Sequence, residues 1–115
     1  ISLLAAILQS QGNLGSETQE LYERALTIHI KNYGSEGLNT AASNFNLGDF
    51  YHLRAIKGQT TETTKNNLLL SVAKFTESLR IYTKMYGPDH PETMDNSSEL
   101  SIVLHKLSET SMQLI

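Results

Sequence analysis

Two stretches of this chain, 53 positions apart, carry one pattern of residues, and a chain that repeats a helix-turn-helix signal at that distance has few folds open to it. Aligning Gly34 with Gly87 pairs Tyr22 with Phe75, Leu26 with Leu79, Ile28 with Ile81 and Lys31 with Lys84. Tyr33 then falls on Tyr86, Thr40 on Thr93 and Leu47 on Leu100. The matches lie at core and turn positions, while the residues between them vary.

The second copy shows the local physics best. Val72, Phe75, Leu79, Tyr82 and Met85 or Tyr86 recur at three- and four-residue steps, which places them along one side of a helix. Tyr86-Gly87-Pro88 ends that helix, because Gly87 can adopt the left-handed conformation and Pro88 cannot continue the backbone ladder. Pro91 suits the first position of the next helix, and Glu92 brings negative charge to its positive end.

The same reasoning gives five helices. The first spans about Ser2 to Gln11 with Leu4, Ala5 and Leu8 inward, and Gln11-Gly12-Asn13 turns the chain. Ser16 is the expected cap of the second, which carries Thr18, Tyr22, Ala25, Leu26 and Ile28 and ends at Gly34. After a link over Ser35 to Leu38, the third runs from Asn39 to Ile56, with Leu47, Phe50, Tyr51 and Ala55 inward and Gly48 allowing close approach of a neighbour. Gly58 to Asn67 holds four threonines and no apolar residue, so it reads as a polar surface loop, with a recognition or phosphorylation loop as the functional alternative. The fourth helix covers Leu68 to Met85, with Leu79 in its core face. The fifth covers Pro91 to about Ser108, with Leu100, Val103, Leu104 and Leu107 buried, and Glu109 to Ile115 extends it or frays.

Composition narrows the function. The 115 residues carry a net charge of −3 without an electropositive stripe, which argues against nucleic acid and against an anionic membrane surface. Cysteine is absent, so no disulfide, thiolate nucleophile or thiolate metal site is available, in keeping with a cytoplasmic protein. The apolar run Leu3 to Leu8 is far short of the roughly 20 residues that span a bilayer. Because the chain opens on Ile1, that run reads as a helix cut at its start, and the chain as a fragment of a longer one. His29, His52, His90 and His105 lie in separate segments without the i, i+4 partner of a helical zinc site, and no glycine-rich phosphate loop occurs. No catalytic residue, metal site or cofactor is expected. Packing accounts for His29, and helix initiation for His90.

Leu47-Gly48 with Tyr51, followed by Phe75 and the small Ser78, resembles the tetratricopeptide repeat. Leu4-Ala5, Leu8 and Gly12 before Thr18, Tyr22 and Ala25 follow the same scheme. The runs Leu21 to Ile28 and Tyr86-Gly87-Pro88-Asp89-His90-Pro91-Glu92-Thr93 are similar to the longer repeats of kinesin light chains. The 53-residue spacing exceeds that type by about eleven, an excess that Gly58 to Asn67 can absorb. Thr18, Ser71 and Ser78 stand where the family has alanine, and their hydroxyls need partners.

The resemblance implies an all-α solenoid of antiparallel helix pairs, about two and a half repeats in one region. Residues 1–34 form repeat one, 35–87 repeat two with the insertion 58–67, and 88–115 the first helix of repeat three. It further implies a scaffold or adaptor that binds a peptide or helix in a concave groove lined by the first helix of each pair. The groove positions carried over are Phe45, Asn46, Asp49, His52 and Leu53 on the third helix. On the fifth they are Asp95, Ser98, Glu99, Ile102, His105 and Lys106. Asn46 matches the position that hydrogen-bonds a peptide backbone. Phe45 can instead pack between helices, and Asp49, Asp95 and Glu99 can merely solvate a helix face. Facing one groove together, those carboxylates favour a basic ligand. With only Lys106 and Arg54 nearby, a carboxylate clamp is disfavoured. The alternative is a structural or regulatory segment packed against another domain of a longer protein. An uncovered face on the fifth helix also leaves self-association open.

Overall fold

The computed structural model describes residues 1–113 and consists, among them, of five α-helices: α1 (Ser2–Ser10), α2 (Ser16–Tyr33), α3 (Leu38–Ile56), α4 (Thr61–Tyr86) and α5 (Pro91–Gln113). Each packs on its neighbour in sequence. The Cα envelope measures 41 × 31 × 20 Å, and its shortest extent is about two helix diameters. No described helix is long and apolar enough to cross a membrane.

The two glycine stops have nearly the same backbone conformation. Gly34 sits at φ 81°, ψ 167° and Gly87 at φ 86°, ψ 165°. The positive φ agrees with the sequence reading, but the extended ψ replaces the left-handed helical conformation expected there. This region is open essentially to glycine alone, so the stop is more restrictive than a left-handed cap. Each glycine N–H still closes the last turn, Gly34 onto the Ile30 carbonyl at 2.8 Å and Gly87 onto that of Thr83 at 2.9 Å.

The core lies between helices as three clusters. Ala5, Tyr22, Leu47, Phe50 and Tyr51 join α1, α2 and α3. Ala55, Leu68, Phe75 and Val103 join α3, α4 and α5. Ala41, Ile81 and Tyr82 close the end near the Gly34 turn, with Leu38 against them. At the centre a Cβ on Gly48 would lie 2.7 Å from the Phe75 ring, so α4 approaches α3 over a residue with no side chain. Ser71 then donates to the Gly48 carbonyl at 2.7 Å and Ser78 to that of Ala41 at 2.8 Å. Of the hydroxyls of Thr18, Ser71 and Ser78, that of Thr18 is buried without a partner.

Several expectations need correction. Gly58 to Asn67 is not a loop throughout, because α4 begins at Thr61 rather than at Leu68. The Thr60 hydroxyl accepts from the Thr63 N–H at 3.0 Å and Glu62 lies in the first turn, so the polar run starts a helix. Asn67 and Leu68 are buried within it. Ser16 does not cap α2: Gly15 holds that position, its N–H donating to the Asn13 side chain at 3.0 Å. Leu4 is 51% exposed and Leu104 46%, since no described helix covers their sides of α1 and α5. Leu79 is only half-buried, Ile28 is exposed, and Met85 and Tyr86 are exposed at 50% and 42%. The fifth helix continues past Ser108 to Gln113, and residues 114–115 lie outside the described residues.

The polar insertion is thus absorbed as longer helices. Ala5 in α1 corresponds to Gly48 in α3, so Ser10, the last residue of α1, corresponds to Leu53, yet α3 continues to Ile56. Ser16, the first residue of α2, corresponds to Leu69, yet α4 starts at Thr61. The second hairpin is therefore a taller version of the first.

Candidate functional site

The groove residues expected from the sequence lie on α3 and α5, and side-chain hydrogen bonds link α3 to α1 and to α5. Two polar bridges join these helices. Gln9 of α1 donates to the Asp49 carboxylate of α3 at 3.1 Å, and Lys106 of α5 donates to His52 Nε2 at 3.2 Å. Gln9 also accepts from the Tyr22 hydroxyl at 2.7 Å, which ties the row to α2 behind it. Behind α3, Tyr51 donates to the Glu23 carboxylate at 3.1 Å, and burial followed by that carboxylate pushes its phenol up to about 12.

His52 sits at the centre, only 9% exposed. Burial, then the Lys106 ammonium, lowers its pKa, while Glu99 and Asp49 pull the other way. The imidazole therefore favours the neutral form, the one that can accept from Lys106. Asp49, His52, Glu99 and Lys106 are thus drawn into one electrostatic neighbourhood.

The remaining candidates divide. Asn46 and Leu53 are half-buried on α3. Asp95, Ser98 and His105 are exposed on α5, as is Ile102 at 45%. His105 lies 3.5 Å from Glu109 on its own helix, an exposed pair that counts as an ion pair only when the imidazole is protonated. Phe45 is half-buried and takes the packing alternative that its position left open. Its ring meets that of Phe75 edge-on with centroids 5.3 Å apart, in the cluster that joins α3, α4 and α5, so it is committed to packing. Arg54 is also committed elsewhere. Its guanidinium donates to the Leu14 carbonyl at 3.0 Å and to Gln19 at 2.6 Å and lies 4.7 Å from the Phe50 ring centroid.

Gln9 escaped the sequence reading. Its only sequence signal is positional, since it stands four residues after Ala5 as His52 stands four after Gly48. The two isolated histidines behave as packing and turn residues. His29 Nδ1 is hydrogen-bonded to the Ser43 hydroxyl. His90 stacks on Tyr86 at 4.0 Å and accepts from the Glu92 N–H at 3.1 Å, holding the start of α5. Among the described residues, no group of three or more His, Asp or Glu side chains is placed to hold a metal ion.

Comparison of the chain with known protein families, with curated proteins and with solved structures finds no match.

Proposed function

We propose that this chain is a non-catalytic protein-interaction module, a tetratricopeptide-like helix-pair solenoid of the long, kinesin-light-chain-like type. In this reading it serves as a cytoplasmic scaffold or adaptor and binds a peptide or helix along the row formed by α1, α3 and α5. The observation that carries the reading is the pair of hydrogen bonds Gln9–Asp49 and His52–Lys106, which link α3 to α1 and to α5 through polar side chains in one strip. A strip fixed in advance loses little conformational entropy when a ligand settles on it. Asp49 and Glu99 give it negative potential, so the favoured ligand is a peptide rich in Lys or Arg.

The test is a peptide-library screen against the intact protein and its Asn46→Ala variant. The expected result is a defined set of basic peptides that bind the parent, weaken with salt and are lost in Asn46→Ala, while helicity and Tm stay unchanged. Unfolding of Asn46→Ala would place that side chain in the core and remove it from the site. A folded protein that binds no peptide favours the second reading, a structural or regulatory segment packed against another domain. Leu3 at 74% and Leu4 at 51% exposure on α1 support that alternative, since both are apolar.

A further inference from the structure

The taller second hairpin stands beside the turn of the first, and an open cleft of about 450 Å³ lies between them. Gly12 and Leu14 of the α1–α2 turn form one wall, and Arg54, Lys57, Thr60 and Thr63 form the other. That volume is within the range of small-molecule sites. The second wall falls after Leu53, the counterpart of the end of α1, and before Leu69, the counterpart of the start of α2. The cleft is therefore a product of the inserted residues and not of the repeated plan.

Charge in the cleft is unbalanced. Arg54 is half-buried and Lys57 exposed, and no carboxylate is in the lining. Glu62, the acid nearest to Lys57 in sequence, lies on the first turn of α4 but outside the cleft. Among the described residues, ion pairs form at Arg80, Lys84 and His105, and neither Arg54 nor Lys57 takes part in one. The acceptors that Arg54 has are neutral, the Leu14 carbonyl for Nε and the Gln19 side chain for Nη2. They hold the guanidinium in place without neutralising it. Thr60 donates its hydroxyl hydrogen to Thr63 Oγ1 at 2.8 Å, which leaves the Thr63 hydroxyl hydrogen free to donate in turn.

We infer that this cleft binds a small organic phosphate monoester, with Arg54 and Lys57 on the phosphate oxygens and the organic body against Leu14. Two cations and a free hydroxyl donor, with no acid among them, suit a dianion with several acceptor oxygens. A phosphate monoester carries about two negative charges and three such oxygens, whereas a carboxylate offers one charge and two oxygens. Leu14 and the methylene stems of Arg54 and Lys57 supply apolar surface for the rest of the molecule. The inference is independent of the polar strip.

The probe is phenyl phosphate, titrated at low salt into the intact isotope-labelled protein and followed by amide chemical shifts, with benzoate and inorganic phosphate beside it. Saturable shifts are expected at residues 12–14 and 57–63, about tenfold or more tighter than for benzoate and weakened by added salt. Lys57→Glu, at an exposed position, should weaken binding about tenfold or more while circular dichroism stays unchanged. Lys31→Glu makes the same charge change at an exposed position of α2 outside the cleft and should leave binding nearly intact. Shifts that do not saturate, or that centre on other residues, overturn the proposal. Equal weakening by the two variants also overturns it, because the ligand then senses net charge alone. So does inorganic phosphate binding as tightly as phenyl phosphate, since the organic body then contributes nothing.

Discussion

The α1–α2 and α3–α4 pairs are built on one plan and differ at its centre. Gly48 removes the Cβ and lets the Phe75 ring rest against α3, which brings the Ser71 and Ser78 hydroxyls within reach of α3 carbonyls. Ala5 keeps its Cβ, and the first pair relies instead on the Tyr22–Gln9 hydrogen bond, with Arg54 binding the turn between its helices to α3. One methyl group thus separates a pair closed through backbone acceptors from one closed through long polar side chains. The first arrangement tolerates no enlargement; the second depends on side-chain partners.

That contrast can be broken most directly at Phe75. Phe75→Ala removes a ring with no exposure and should cost about 3 to 5 kcal/mol by denaturant unfolding. Leu79→Ala, at a half-buried site, should fall below the roughly 2 kcal/mol lower bound of a full core truncation. Equal losses at the two sites would mean that the centre of α4 is not the packing centre. Gly48→Ala should destabilise by about 1 to 3 kcal/mol through overpacking, even though alanine gains about 1 kcal/mol of helix propensity. A raised melting temperature would show that α4 does not approach α3 as closely as described.

The capped start of α4 separates helix from loop. Thr60→Ala should lower stability by about 1 kcal/mol and increase amide exchange over residues 61–67. Unchanged, rapid exchange there in both proteins would restore the loop reading. The hydroxyls sharpen the comparison further. Ser71→Ala should cost about 0.5 to 1.5 kcal/mol because it removes a buried hydrogen bond. Thr18→Val should be neutral or stabilising, since the hydroxyl it deletes is buried without a partner.

The smallest effect is expected from pH. The folded-state pKa of His52 lies below its ordinary 6.5, so the unfolded chain binds this proton more readily. Its contribution to stability is fully present above about 6.5, declines as pH falls from there toward the folded-state value, and is constant below it. Subtracting the melting temperatures of His52→Gln from those of the parent across that range isolates the effect. A difference that does not change with pH would separate His52 from the titration.

The path of the chain was largely legible. Tyr86-Gly87-Pro88 and Pro91-Glu92 marked a stop and a start because they act through local backbone geometry, and the recurrence of the signal from Tyr22 to Gly34 located its counterpart. The start of α4 was misread because Gly58 to Asn67 has no apolar periodicity, and a helix capped by Thr60 needs none in its first turns. Phe45 was left between two readings, groove and packing, for another reason. Sequence places it on α3 but does not say whether its ring turns toward α4 or toward α5 and solvent.

By itself, then, the sequence determined the helices, their order and the glycine stops, all of which follow from interactions within a few residues. Tertiary structure decided which members of each apolar stripe are buried, leaving Leu4 and Leu104 exposed while their counterparts Leu47 and Tyr51 on α3 are sealed. It also decided that Gln9, Asp49, His52 and Lys106 meet. Such contacts join residues 40 and 54 positions apart, and local propensity carries no information about which helix comes to lie beside which.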